Sequence, residues 1–394
     1  MNQDVFILEA KRTPVGSFNG GLSSISAPKL GSNVLREVVI ESGVDKSIIN
    51  EVIMGNVLSA GLGQAPARQS ALYASLPNSV ECTTINKMCG SGLKSVMLGS
   101  QSIQAGDADV IIAGGMENMS MAPYLLPKAR TGHRLGHGEI IDSIISDGLW
   151  DIYNDKHMGN CAELLAEKNK ISREQQDEFA KQSYTKAINA QENGWFDAEI
   201  VSVDVPQRKG EAKVIKQDEE PKNANFEKMK VLKPVFEKAG TITAANASKI
   251  NDGAAAVLIS SLDFIKSKGL QPMAKIVAQA SSAHEPDWFT TAPIGAVTKV
   301  LSKAGLKSGD IDLWEINEAF APVTIAAMDE FNIGSEKVNV CGGAIALGHP
   351  IGASGARILV TLIHSLKRLN KSFGLATLCI GGGEASALII ERIN

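Results

Sequence analysis

The chain has 394 residues, a net charge of −4 and a mean hydropathy of +0.00; at about 150 residues per domain it predicts two or three packed units, and its charge offers no footprint for nucleic acid or an anionic membrane surface. Apolar residues at 44% and charged residues at 21% exclude a disordered chain and predict a large core. Five cysteines without regular spacing exclude a disulfide framework and point to a reducing, cytoplasmic compartment.

The opening Met1-Asn2-Gln3-Asp4 before a short apolar run fits neither a secretory signal nor an Arg-rich transit peptide, and no apolar run reaches membrane-spanning length. In chain order, short β-rich runs then alternate with helical periodicity, the pattern of an α/β protein. Residues 5–9 read as a strand, and Leu30, Val34, Val38 and Val39 fall at helical spacing up to Gly43, a C-terminal stop. Residues 51–58 predict a strand, 67–76 a helix, 82–86 a strand, 93–105 a helix, and 109–113 a buried strand ahead of Gly114-Gly115.

That order recurs. Residues 297–305 (VTKVLSKAG) repeat the pattern of 35–43 (LREVVIESG) at a shift of 262, Ser354-Gly355 repeat Ser91-Gly92 at 263, and Gly381-Gly382 match Gly114-Gly115 at 267. A nearly constant offset through strand and helix indicates an internal duplication. Residues 119–246 between the copies hold a basic cluster, a charged helix and a polar stretch, too much chain for a structureless loop. The division is therefore an N-terminal half at 1–118, completed by a returning strand within 247–271, an inserted loop domain at 119–246, and a C-terminal half at 272–394.

Four segments can carry chemistry. Asn86-Lys87-Met88-Cys89-Gly90-Ser91-Gly92-Leu93 puts a cysteine between a strand and the first turn of a helix, where the positive helix end stabilises a thiolate and glycines admit a substrate. The alternative is a small buried cysteine at a tight turn. His349, flanked by Gly348 and Pro350 in a stretch with almost no bulky side chain, is placed to act as a general base. Cys379 ends a buried strand before three glycines, whose N–H groups can form an oxyanion hole, or it is a plain core cysteine. Asn317-Glu318 closes another strand, the alternative there being a helix N-cap. At the shifts above, Cys89 falls opposite Gly352, His349 opposite Asn86 and Cys379 opposite Ile112, so each half supplies what the other lacks. No metal-ligand spacing such as C-x-x-C or H-E-x-x-H occurs in the chain.

Together, NKMCGSG around Cys89, NEAFA from Asn317, GGAIALGHPIGASGAR from Gly342 and CIGGGEA from Cys379 resemble the thiolase family, in order and across the whole chain. The resemblance implies an α/β thiolase fold of duplicated halves, layered αβαβα, with a loop domain over the active site and assembly as a homotetramer, a dimer of dimers. It implies that Cys89 is the acyl-accepting nucleophile, His349 the base that activates it, and Cys379 the acid/base for the α-proton of the second acetyl group. Asn317 would hold a water that joins His349 at the enolate oxygen, and the N–H groups of Cys89 and Gly381 would form the other oxyanion hole.

Within the family, His157-Met158-Gly159 and residues 243–256 (TAANASKINDGAAA) look most like short-chain acetoacetyl-CoA thiolases. That likeness implies an acetyl-CoA C-acetyltransferase, condensing two acetyl-CoA reversibly to acetoacetyl-CoA and CoA, with coenzyme A thioesters as substrates and neither metal nor redox cofactor. His157, beside Met158, would border the thioester, Ser248 the pantetheine arm and Leu149 the CoA, while Phe236 and Phe320 line the acyl pocket or simply pack in the core. Two departures stand out: Lys249 replaces a frequent glycine beside the CoA arm, and Pro221 replaces an Arg or Tyr near the nucleotide or a monovalent-cation site, where Lys222 is a substitute. The rivals are a broader 3-ketoacyl-CoA thiolase of fatty-acid breakdown and, from another class, a nicotinamide-dependent oxidoreductase.

Overall fold

Strand β1 (Val5–Arg12) carries apolar residues on both faces, and both are buried: Val5 and Ile7 join one core cluster, Phe6 and Leu8 another. A strand of this kind belongs between two packed layers, and the computed structural model, which describes residues 3–393, places it there. The N-terminal half continues with α1 (Ala27–Ser42), β2 (Glu51–Gly55), α2 (Pro66–Tyr73), β3 (Glu81–Ile85), α3 (Ser91–Ala105) and β4 (Val110–Asn118). The insert contributes α4 (Met158–Lys168) and α5 (Arg173–Glu192), and β5 (Asn251–Ser261) returns. The second half runs β6 (Ala274–Ala283), α6 (Ala292–Ala304), β7 (Leu313–Ile316), α7 (Ala321–Phe331), α8 (Ser354–Arg368), β8 (Phe373–Ile380) and β9 (Glu384–Arg392).

The strands lie in the order β7-β8-β9-β6-β1-β5-β4-β2-β3. Each half repeats one plan. In the first, β4, β2 and β3 are parallel and β5 runs antiparallel between β4 and β1. In the second, β7 and β8 are parallel and β9 runs antiparallel between β8 and β6. The counterpart of β3 shrinks to a bridge between Trp314 and Val338. The halves join where Val5, Phe6 and Ile7 pair with Ile276, Lys275 and Ala274.

Three apolar clusters define five layers. Outer clusters bury α1 and α2 on one half-sheet and α6 and α7 on the other, while a central cluster holds Leu93 and Val96 of α3, Ile358 and Leu362 of α8, and the inner faces of both half-sheets. The two central helices cross at glycines related by the duplication: a Cβ on Gly92 would lie 2.7 Å from the Ala356 nitrogen, and one on Gly355 would overlap the Leu93 backbone. The insert is tied down by the buried Arg12, which bonds Glu199 at 2.5 Å and Asp218 at 2.7 Å. No helix among the described residues is long and apolar enough to cross a membrane.

Several expectations need correction. Glu51 pairs with Ile111 and Leu313 with Gly374, so the shift stays at 262 to 263 through these strands. The glycine-pair match at 267 is not structural. Gly114-Gly115 lie inside β4, Gly381-Gly382 lie in the turn after β8, and Cys379 corresponds to Met116 rather than to Ile112. Strand β2 stops at Gly55 instead of residue 58 because the N–H groups of Val57 and Leu58 turn to the Glu117 carboxylate, at 3.0 and 3.2 Å. Helix α2 stops at Tyr73 because Ser75 adopts φ +60° and its N–H and that of Leu76 bond back to Leu72 and Ala71.

Candidate active site

Local bonding fixes the loop that carries Cys89 between β3 and α3. Met88 sits at φ +47°, a left-handed conformation costly for a residue with a side chain. Asn86 Oδ1 accepts the Met88 N–H at 2.9 Å; Ser91 Oγ donates to the Met88 carbonyl at 2.7 Å and accepts the Lys87 N–H at 2.8 Å. Because α3 begins at Ser91 with Gly90 as its N-cap, Cys89 stands between the strand and the first turn of the helix, where its sequence places it.

The surroundings of Cys89 work against a resting thiolate. Burial pushes the Cys89 thiol up to about 11; the N–H groups of Gly381 and of Cys89 itself oppose the rise, and the nearby Glu117 carboxylate adds to it. Desolvation wins over the helix end, so resting Cys89 is a thiol that requires a base.

The second cysteine lies against the same site. Cys379, fully buried near the end of β8, is held well above its ordinary range by burial first and by the neighbouring Cys89 second. The two thiols thus form a coupled pair in which ionising one opposes ionising the other. Their loops touch: a Cβ on Gly90 would overlap the Ile380 side chain, and Lys87 forms an ion pair with Glu384 across the glycine turn.

His349 supplies the base. Asn251 Oδ1 accepts its backbone N–H at 2.9 Å. Its Nδ1 lies 2.5 Å from Ser354 Oγ, and Ser354 spends its one proton on the Pro350 carbonyl at 2.9 Å. Toward the imidazole, Ser354 therefore accepts, Nδ1 carries the hydrogen, and Nε2 bears the lone pair. Nε2 is buried without a hydrogen-bond partner among the described residues. Burial, and then the charge of Arg357, lower the His349 pKa to about 3, so the ring is neutral at pH 7. Burial disfavours both the thiolate and the imidazolium, so proton transfer between them is uphill in the empty site and favours coupling to attack on a substrate.

Asn317 follows β7, its backbone N–H bonding Thr377 at 3.0 Å, and it caps no helix: the N-cap of α7 is Phe320. Its side-chain amide is buried with both polar atoms unpaired among the described residues, which costs roughly 1–3 kcal/mol per group unless a water or ligand arrives. The adjoining Glu318 anchors the turn, accepting from Ser183 at 2.7 Å, Asn339 at 2.8 Å and the Ile345 N–H at 3.1 Å.

A cleft of about 200 Å³ opens on His349 and is walled by Leu149, His157, Phe236, Ser248, Lys249 and Phe320, among others. His157 caps α4, its Nδ1 accepting the Gly159 N–H at 3.0 Å, which leaves the proton on Nε2; burial lowers its pKa. Its ring stacks on Phe236 at 4.8 Å, and Phe236 meets Phe320 edge-on at 6.0 Å. The Ser248 N–H bonds the Ala319 carbonyl at 3.0 Å, fastening this wall to the Asn317 turn. Met158 is buried beside the wall, in the cluster that packs Cys379, Phe236 and Phe320. Lys222 is exposed beside the buried Pro221 and does not line the cleft.

Three contributors escaped the sequence reading. Ser354 sets the imidazole tautomer, Asn251 holds the His349 backbone, and Glu117 gathers the N–H groups of Val57, Leu58 and Gly352 from both halves. Ser354, five residues after the histidine at a helix start, was the one legible signal.

A thiol faced by the N–H groups of Gly381 and of Cys89 itself, a second buried thiol, and a neutral imidazole on which a small apolar cleft opens form the equipment of acyl transfer with carbon-acid chemistry; of these groups only His349 lines the cleft itself. The chain matches the thiolase N-terminal domain over residues 5–263 and the thiolase C-terminal domain over residues 270–392. It belongs to the thiolase family. It is 52% identical over 391 residues to an acetyl-CoA acetyltransferase of Pseudomonas aeruginosa, covering 99% of this chain and 100% of that one, and 53% identical over 390 residues to that of Escherichia coli, covering 98% and 99%. The crystal structure of Acat5 thiolase from Ascaris suum in complex with coenzyme A superimposes with a TM-score of 0.94 at 45% identity, covering 99% of this chain and 100% of that one.

Proposed function

We infer that the chain is an acetyl-CoA C-acetyltransferase that condenses two acetyl-CoA reversibly to acetoacetyl-CoA and CoA. The carrying observation is the coupled Cys89–Cys379 pair beside a neutral His349 whose Nε2 has no protein partner among the described residues. In this reading Nε2 takes the Cys89 proton as sulfur attacks the thioester carbonyl, and the N–H groups of Cys89 and Gly381 receive the oxyanion. CoA departs with the proton of the Cys379 thiol, leaving acetyl-Cys89, a Cys379 thiolate and the first proton still on His349 Nε2. The Cys379 thiolate then removes the α-proton of a second acetyl-CoA, a water on Asn317 and the Nε2–H stabilise the enolate oxygen, and the carbanion attacks acetyl-Cys89, whose sulfur leaves and takes the proton back from Nε2.

The small cleft, closed by the His157–Phe236–Phe320 stack, favours four-carbon products over long 3-ketoacyl chains. Thiolysis of a chain-length series with free CoA tests this: acetoacetyl-CoA should be preferred, and 3-ketohexadecanoyl-CoA turned over equally fast would overturn it. Both thiols must stay reduced to work, which suits the cytoplasm. We further assign a homotetramer, on the family likeness, to be read by sedimentation.

A further inference from the structure

One cation on the cleft wall has no role in this chemistry. Lys249 donates from Nζ to the carbonyls of Ala244 at 2.5 Å and Ala247 at 3.1 Å, and these are its only hydrogen-bond acceptors among the described residues. An ammonium has three N–H groups, so one is unspent. No carboxylate of the described residues comes within ion-pair distance; Glu220 acts on it only from further away, and the Tyr184 ring lies 5.8 Å from Nζ. Ala244 is exposed, which puts this ammonium at the mouth of the cleft, whereas His349 and Phe320 lie on its buried wall.

A partly buried cation with a free donor and no counter-ion is costly where it stands. The cost is recovered if an acceptor oxygen arrives with the ligand. Consistent with that strain, burial lowers the Lys249 pKa to about 8.

We propose that Lys249 is a substrate-contacting residue whose third N–H binds an acceptor oxygen on the carrier arm of the thioester, outboard of the reacting acyl group and its cysteamine unit. The inference rests on the reading of the cleft as a coenzyme A thioester site. An amide carbonyl and a phosphate oxygen on that arm present the same chemistry to an ammonium, and truncated carriers separate them. The two carbonyl bonds hold the side chain in place beforehand, so the contact forms without ordering a flexible lysine.

The test compares wild type with Lys249→Met on acetoacetyl thioesters of CoA, of pantetheine and of N-acetylcysteamine, measuring kcat and KM separately. A charge-assisted hydrogen bond of the usual strength predicts a rise in KM for the CoA thioester of about ten- to a hundredfold. The kcat should change less than twofold, because a contact made equally in ground and transition states does not enter it. The penalty should vanish with N-acetylcysteamine. Persistence with pantetheine identifies the outer amide carbonyl, the one that N-acetylcysteamine lacks, and its restriction to CoA identifies a phosphate; both support the proposal. An unchanged KM, or an equal loss on all three carriers as a collapsed loop would give, overturns it. If methionine is not tolerated in folding, Lys249→Gln carries the same comparison. Wild-type enzyme inactive on acetoacetyl-CoA would instead overturn the functional reading, an outcome distinct from an active enzyme indifferent to Lys249.

Discussion

Removing the Ser354 hydroxyl isolates the claim that one hydrogen bond sets the base. Ser354→Ala deletes the acceptor 2.5 Å from His349 Nδ1, while the Pro350 carbonyl stays paired with the backbone N–H groups of residues 353 and 354, both at 2.9 Å. Both tautomers become accessible, and the one with hydrogen on Nε2 cannot take the Cys89 proton. The variant also leaves a buried Nδ1–H unpaired, worth about 1–3 kcal/mol. If the whole penalty falls on the transition state, kcat drops about 5- to 150-fold, since each 1.4 kcal/mol is tenfold. The assay is single-turnover acetylation of Cys89 by acetyl-CoA, which reads the proton-transfer step without condensation. Thermal unfolding alongside separates a lost base from a lost fold. Acetylation within twofold of wild type, in a protein of unchanged stability, would refute the tautomer argument.

Gly355→Ala should destabilise by about 2 kcal/mol: overpacking against Leu93 costs up to about 3, offset by about 1 from helix propensity; a denaturation midpoint no lower than wild type would contradict the central crossing. Because Cys89 is held up to about 11, its alkylation by iodoacetamide in the free enzyme should rise about tenfold per pH unit between pH 7 and 9; a plateau across that range would mean a resting thiolate. Cys379→Ser should slow condensation by about 10² to 10⁴ while exchange of the acetyl group between CoA molecules survives; equal loss of both would erase the division of labour between the cysteines.

The duplication and all four motifs were legible because they are local: glycine spacing, strand ends and helix starts are written in neighbouring residues. Cys89, His349, Asn317 and Cys379 could be picked out on that basis. Long-range effects were not legible. Burial works against a thiolate at Cys89, and burial is set by tertiary packing that the residues around Cys89 do not announce. Glu117 reads as one acid after a buried strand, and nothing local says that it collects N–H groups from Val57, Leu58 and Gly352. The 267-residue glycine match misled because two glycine pairs look alike in sequence while one serves a close approach inside β4 and the other a turn with φ +92° and +83° at Gly382 and Gly383.

The central claim is that Cys89 carries the acyl group while Cys379 handles the proton. Brief exposure to acetyl-CoA, acid quenching and peptide mass mapping tests it most directly. One acetyl group on the Cys89 peptide, discharged by added CoA, is the predicted result; acetylation of Cys379 with Cys89 unmodified would contradict it.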